Sequence, residues 1–306
     1  MTYRWDSDIT RPYGYLIKKK INNSNDGDDD DDTPNNNNNK AFTSLFQTKN
    51  LSSLAQRPKQ VAWLVSHCST RSHREDYVKE LQKYIPVDIF GNCGGASSSS
   101  SSIPCNTTWQ NQQHGDDDNN CSTVIRRDYK FYLSFENVFS PDYVTEKFFF
   151  QGLQQNLLPV VLGQANYSKI APPPNSFLNV LDYDSPKTLA QYLQYLDRND
   201  LEYVSYFRWH DQYEVVTDRA VLQREAFVEL CTKLHTTTTT TTTTPNNNNN
   251  NEKTSFDDWW RRGLHQDLPK LRSQLPKNNN TNNNNDSNAL QSALHRRHIP
   301  RISFAA

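Results

Sequence analysis

Between residues 129 and 163 the chain gathers side chains that could do chemistry on an anionic ligand. Tyr132, Glu136, Asn137, Tyr143, Glu146 and Lys147 fall in this stretch, and Arg71 and Arg74 follow an earlier apolar run. A diphosphate leaving group needs cations or backbone N–H donors to take up its developing charge. Arginine supplies a planar fork, lysine a point charge, and a helix N-terminus its unsatisfied donors. Glu136 and Glu146 can accept hydrogen bonds from sugar or ribose hydroxyls, and Asn137 can both donate and accept. Tyr132 and Tyr143 offer a flat face and a hydroxyl to a base or sugar ring. On spacing alone, a Glu-Lys pair at a helix start is more often a solvated surface feature, so its place in the fold must decide.

The elements that position these groups follow from apolar patterning. Val61–Ser66, Pro86–Phe90, Phe131–Phe135, Leu158–Leu162 and Phe177–Leu181 read as short buried strands. Helices are predicted over Arg71–Lys83, from Ser140-Pro141 to about Asn156, after Ser185-Pro186 with Leu189, Leu193 and Leu196 on one face, and over Leu201–Trp209 and Ala220–Leu234. Strands alternating with helices predict an α/β fold with a parallel, doubly wound, Rossmann-like sheet and helices on both faces. Ligands of such sheets bind beyond the carboxyl ends of the strands, which points to the loops Ser66–Arg74 and Glu136–Lys147.

Composition narrows the function classes. Asp28–Asp32, Asn35–Asn39, Ser97–Ser102, Thr236–Thr244, Asn246–Asn251 and Asn278–Asn285 cannot bury enough apolar surface to offset ordering entropy. They bring the mean hydropathy to -0.89. Set aside, they leave 59–95 and 122–235 as material for one ordinary domain, with 92–121 as a low-complexity surface insertion. A net charge of -1 gives no argument for nucleic acid, and the basic cluster at His295–His298 with Arg301 reads as a solvated terminus. No apolar run approaches the roughly 18 residues that span a bilayer. No signal peptide opens the chain, so any membrane anchor is not encoded here.

There is no Gly-x-Gly-x-x-Gly, Walker sequence or His-Glu-x-x-His, and Asp6-Ser7-Asp8 sits far from the sheet. Cys93, Cys105 and Cys121 bracket the insertion, which suits a disulfide tying it to the domain or a set of inert thiols. Sequons occur at Asn22, Asn106, Asn120, Asn166, Asn279 and Asn285, and chance accounts for several in so Asn-rich a chain.

Tyr129–Lys147 with Pro159–Gly163 closely resembles the signature of the alpha-1,3-fucosyltransferases, glycosyltransferase family 10. Val61–Ser66, Val87–Gly91, Ser185–Lys187 and Tyr206–Trp209 are similar to it as well. Thr2–Ile9 with Pro12-Tyr13-Gly14 resembles the segment joining that family's two domains, and Cys231–His235 with Trp259-Trp260 resembles the end of its core N-glycan branch. The resemblance implies a GT-B fold that transfers fucose from GDP-fucose, with inversion, to an N-acetylglucosamine hydroxyl of an N-glycan. It implies that Arg74 and Lys147 neutralise the diphosphate, that Tyr132, Glu136, Asn137, Tyr143 and Glu146 shape the donor site, and that Ser66 and Tyr13 lie beside the nucleotide. It implies a Golgi membrane protein with a lumenal catalytic domain and no required metal or other cofactor, with manganese stimulation left open.

Carried along the chain, the resemblance makes 1–58 the end of an acceptor domain with a linker, 59–235 the donor domain, 236–251 a Thr/Asn tract and 252–306 a helical or disordered tail. An inverting transferase needs a general base. The family's base lies upstream of Thr2–Ile9, so the acceptor domain, its base and the anchor are expected to be missing here. The alternative is a truncated, non-catalytic fragment that only binds a GDP-sugar. His67 stands where many relatives have Asn, and Val228 replaces a frequent Cys, leaving Cys231 without its usual partner.

Overall fold

In the computed structural model, which describes residues 2–19, 51–94, 120–171, 175–239 and 255–275, five strands form one parallel sheet. They are β2 (Lys59–Leu64), β3 (Val87–Phe90), β4 (Tyr129–Phe135), β5 (Leu158–Leu162) and β6 (Leu178–Asn179), in the order β3-β2-β4-β5-β6. A separate antiparallel pair joins β1 (Tyr15–Lys18) to β7 (Tyr213–Val216). Alternation along the strands separates two buried faces.

Val61, Trp63, Phe131, Leu133, Phe135, Val160 and Leu162 share one core with Tyr77, Val78 and Leu81 of α2 (Arg74–Leu81), and with Leu189, Leu193 and Leu196 of α6 (Pro186–Arg198). On the other face, Ala62 and Tyr132 meet Val124 and Ile125 of α3 (Cys121–Asp128). Val161 meets Phe148, Phe149 and Leu153 of α4 (Lys147–Gln154), a π-type helix. Helices on both faces make the sheet doubly wound, as the patterning predicts.

The order of strands fixes the crevice. From β2 the chain moves outward to β3, then returns to lay β4 along the opposite side of β2. That reversal between β2 and β4 opens a gap beyond their carboxyl ends, where ligands of such sheets bind. The backbone N–H of Glu136 donates to the Leu162 carbonyl at 2.9 Å, extending the β4–β5 ladder by one residue before the loop departs.

Several predicted boundaries move, each for a local reason. The helix expected from Ser140-Pro141 begins only at Glu146–Lys147. Asp142 takes a left-handed φ of 59°, and the Ser140 hydroxyl pairs with Tyr3 Oη at 3.0 Å instead of capping a helix. The helix expected from Arg71 starts at Arg74, because His73 is left-handed at φ 56°. Leu201–Trp209 divides into α7 (Asp200–Ser205) and a 3-10 turn at Arg208–Asp211.

Phe177–Leu181 yields only the two residues of β6 before a second 3-10 turn, Val180–Asp182. α8 runs Arg219–Thr239, and α9 (Phe256–Arg261) and α10 (Leu268–Gln274) follow. Two further short helices are α1 (Leu51–Ala55) and α5 (Tyr167–Ile170). Among the described residues no helix is long and apolar enough to cross a membrane. Residues 95–119 of the expected insertion, most of the single-residue tracts and the basic cluster at 295–301 lie outside the described residues.

Cys93, at the start of the 92–121 insertion, is disulfide-bonded to Cys68, which ties the insertion to the domain. The bond joins the loop after β2 to the loop after β3, so it fastens the rim of the crevice. Cys121 is also disulfide-bonded, while Cys231 is free and exposed. With a sequence separation of 25 residues, chain-entropy arguments put the contribution of Cys68–Cys93 at about 3 kcal/mol. Replacing both cysteines with alanine is expected to lower the guanidinium unfolding midpoint accordingly. An unchanged midpoint would mean that the two loops are held without it.

Candidate functional site

The crevice is built from the two loops beyond β2 and β4, tied to each other by backbone groups. Ser72 N–H donates to the Asn137 carbonyl at 3.2 Å. Arg74, 2% exposed, donates to the Phe135 carbonyl at 2.6 Å and the His67 carbonyl at 3.0 Å, with its Nε to Glu75 at 3.2 Å. Its guanidinium also lies 5.5 Å from the Trp63 ring centroid. The sequence reading placed Arg74 against a ligand. The fold makes it a buried brace under the crevice, with a charge that still acts there through a low-dielectric wall.

At the centre of the other loop Glu136 is fully buried. Its carboxylate accepts the Thr145 backbone N–H at 2.8 Å, the Thr145 hydroxyl at 2.9 Å and Lys147 Nζ at 3.1 Å. Lys147 Nζ also donates to Thr145 Oγ1 at 2.8 Å and Glu146 Oε1 at 3.3 Å. Glu136 therefore closes the 136–147 loop on itself, satisfying the N–H just ahead of α4 that would otherwise need a cap. Ser134 fixes the other side by donating its hydroxyl to the Lys147 carbonyl at 2.8 Å. Thr145 and Ser134 were not singled out from the sequence. Only Thr145 carried a signal, its place inside the Tyr-Val-Thr-Glu-Lys run.

The electrostatics follow from burial and pairing. Burial pushes the Glu136 carboxyl above its ordinary value of 4.5, against the pull of the Lys147 ammonium. Burial opposes the charge on Lys147, yet Glu136 and Glu146 outweigh it and hold the ammonium above its ordinary 10.5. A group whose folded pKa is raised contributes stability fully present below its unfolded value, and loses it as pH rises through the folded one. For Glu136 that window opens just above pH 4.5; for Lys147 it opens above pH 10.5. The unfolding free energy of the wild type, compared with Glu136→Gln, is therefore expected to fall as pH rises from 4.5 towards neutrality, read by urea titration. A flat difference would place Glu136 in contact with water.

The remaining candidates divide. Tyr143 is half-buried, with its ring centroid 4.9 Å from Tyr3 and 6.4 Å from Tyr13, and burial raises its hydroxyl pKa. Tyr13 is 39% exposed. Tyr132 lies in the core at 1% exposure, its hydroxyl pKa raised by burial and then by Glu146, so it offers no open face. Ser66 is half-buried just past β2. Asn137 keeps Oδ1 buried without a hydrogen-bond partner, a costly state that a ligand donor would relieve. Ser66, Arg74, Glu136, Asn137, Glu146 and Lys147 thus come to the crevice, Tyr13 and Tyr143 stand beside the same loop, and Tyr132 forms part of the wall.

Two segments far apart in sequence meet here as well. Arg4 donates to the Trp259 carbonyl at 3.0 Å and lies 4.5 Å over that ring, while Trp259 Nε1 donates to Asp6 at 3.1 Å. A cleft of about 430 Å³ lined by Tyr3, Trp5, Gly14, Asp142, Phe149 and Tyr213 includes neither Glu136 nor Lys147. Among the described residues no three His, Cys, Asp or Glu side chains converge as metal ligands.

Residues 54–250 match the family model for glycosyltransferase family 10 (fucosyltransferase), C-terminal part. The chain is 33% identical over 234 residues to the alpha-(1,3)-fucosyltransferase fut-1 of Caenorhabditis elegans, covering 75% of this chain and 46% of that protein. It is 39% identical over 164 residues to glycoprotein 3-alpha-L-fucosyltransferase A of Drosophila melanogaster, covering 53% and 30%. Against 4-galactosyl-N-acetylglucosaminide 3-alpha-L-fucosyltransferase FUT6 of Homo sapiens it is 35% identical over 236 residues, covering 76% and 52%. The chain spans about half the length, or less, of these relatives. A crystal structure of an alpha1,3-fucosyltransferase with GDP-fucose aligns over 57% of this chain and 46% of that one, at 20% identity and a TM-score of 0.38.

Proposed function

This chain belongs to glycosyltransferase family 10, the fucosyltransferases, and on that premise we propose that its crevice binds the diphosphate of GDP-fucose as the donor half of a GT-B-type enzyme. The observation that carries the reading is the Lys147 ammonium. It is held by Glu136 and Thr145 at the first residue of α4, where the parallel sheet reverses its strand order. In this reading Lys147 meets the phosphates, Arg74 adds positive potential from beneath, and Asn137 Oδ1 accepts a ligand hydroxyl. Glu146 turns from Lys147 to a ribose or sugar hydroxyl. Ser66, Tyr13 and Tyr143 flank the nucleotide, and Tyr132 backs them from the core. Cationic side chains, not a metal, balance the leaving charge.

The reaction proposed for the whole protein is inverting transfer of fucose to a glycan N-acetylglucosamine. The Golgi lumen is its proposed place, supported by the disulfides of Cys68, Cys93 and Cys121, which persist in oxidising compartments. A second reading is that this chain binds the donor without transferring it. One observation favours it: Glu136 and Glu146, two carboxylates at the crevice, are both bonded to Lys147, an arrangement that holds the donor site together and not one that presents a base to an acceptor hydroxyl.

Saturation-transfer NMR with GDP-fucose, followed by an assay for fucosylated N-glycan, separates the readings. Enhancement of ribose and fucose protons is expected in either case. Product from this chain alone would remove the second reading, and no enhancement at millimolar ligand would remove both.

A further inference from the structure

The sequons at Asn120 and Asn166 lie among the described residues, and the fold treats them oppositely. Asn120 is 6% exposed and its Oδ1 accepts the Ser122 N–H at 2.9 Å as the cap of α3. The hydroxyl of that sequon, Ser122, is 7% exposed and donates to Gln151 Oε1 at 3.2 Å, and the residue between them, Cys121, is buried in a disulfide. A glycan on Asn120 would have to displace α3 from the sheet.

Asn166 has the reverse surroundings. It is exposed, it precedes α5 without capping it, and Ser168 is exposed two residues on. The residue between them holds the segment in place. Tyr167 is 2% exposed, with its ring 5.5 Å from Phe148 and 5.6 Å from Phe177. The core grips the middle of the sequon, and the amide and the hydroxyl flank it on the surface.

The structure assigns Asn166 as an N-glycosylation site and excludes Asn120 from being one in the folded protein. In the transfer, Asn166 Nδ2 attacks the anomeric carbon of a lipid-diphosphate-linked oligosaccharide. An N–C bond forms, the C–O bond to phosphate breaks with its electron pair leaving on the lipid diphosphate, and one amide proton is released. The disulfides at Cys68–Cys93 and Cys121 independently fit the oxidising compartment in which such acceptors are modified. The assignment does not depend on what the crevice binds.

The test is site mapping on the full chain secreted by a eukaryotic cell through a fused signal peptide. Release of glycans by peptide N-glycosidase in heavy-oxygen water turns an occupied asparagine into labelled aspartate. Label at Asn166 and none at Asn120 is expected. Asn166→Gln and Ser168→Ala are each expected to remove the mass of one glycan from the intact protein, the second without touching the acceptor residue. An unlabelled Asn166 in folded, secreted protein, a labelled Asn120, or a Ser168→Ala variant of unchanged glycan mass would overturn the assignment.

Discussion

Glu136→Ala is expected to destabilise the fold by about 3–5 kcal/mol, the cost of removing one partner from a buried ion pair. Three donors lose their acceptor together: the Thr145 N–H, the Thr145 hydroxyl and the Lys147 ammonium. Lys147 is 15% exposed, so water only partly replaces the carboxylate. Glu136→Gln keeps an acceptor for Thr145 and is expected to cost less. Guanidinium unfolding of both variants measures the difference. A cost below about 1 kcal/mol for the alanine variant, typical of a solvated pair, would mean that the loop ahead of α4 is held by other contacts.

Lys147→Ala is expected to weaken GDP binding by about 100-fold, since losing one member of a desolvated charge pair costs about 2–5 kcal/mol. The substitution also strands Glu136, and loss of fold could pass for loss of binding. Burial already biases that carboxyl towards its neutral form, so the double variant Glu136→Gln, Lys147→Met removes both charges of the pair together. It is expected to fold better than Lys147→Ala while binding GDP no better. Recovery of GDP affinity in the double variant would assign the effect to folding, and the phosphate contact would have to come from another group, the exposed Arg71 first.

Much of this was legible in the sequence because it rests on short-range pattern. The strands of the parallel sheet stand out as apolar runs, and the Glu-Asn…Thr-Glu-Lys spacing marks the loop that the sheet then places at its order reversal. What was not legible depends on partners distant in sequence. Arg74 looks like a free cation until β4 brings the Phe135 carbonyl to it. Ser140-Pro141 has the chemistry of a helix start, but Tyr3 takes the serine hydroxyl and Asp142 turns left-handed.

Cys93 pairs with Cys68 because parallel neighbours β2 and β3 end side by side. The sequence marked Cys93 as one end of a tie between insertion and domain, but not Cys68 as the other. The β1–β7 pair joins residues about two hundred positions apart, and neither strand is apolar enough to announce itself. The π-type geometry of α4 has no residue signature. Gly152 is the nearest to one, where an added Cβ would come within 2.9 Å of Pro159.

The most direct test of the crevice as a diphosphate site is a calorimetric comparison of GDP with guanosine, on the wild type and on Lys147→Ala. The two ligands differ only in the diphosphate, so the change in their affinity ratio isolates its coupling to Lys147. Wild type is expected to prefer GDP strongly, and Lys147→Ala to lose most of that preference while holding guanosine unchanged. An equal loss for both ligands, or a preference untouched by the substitution, would contradict the assignment of Lys147 to the phosphates.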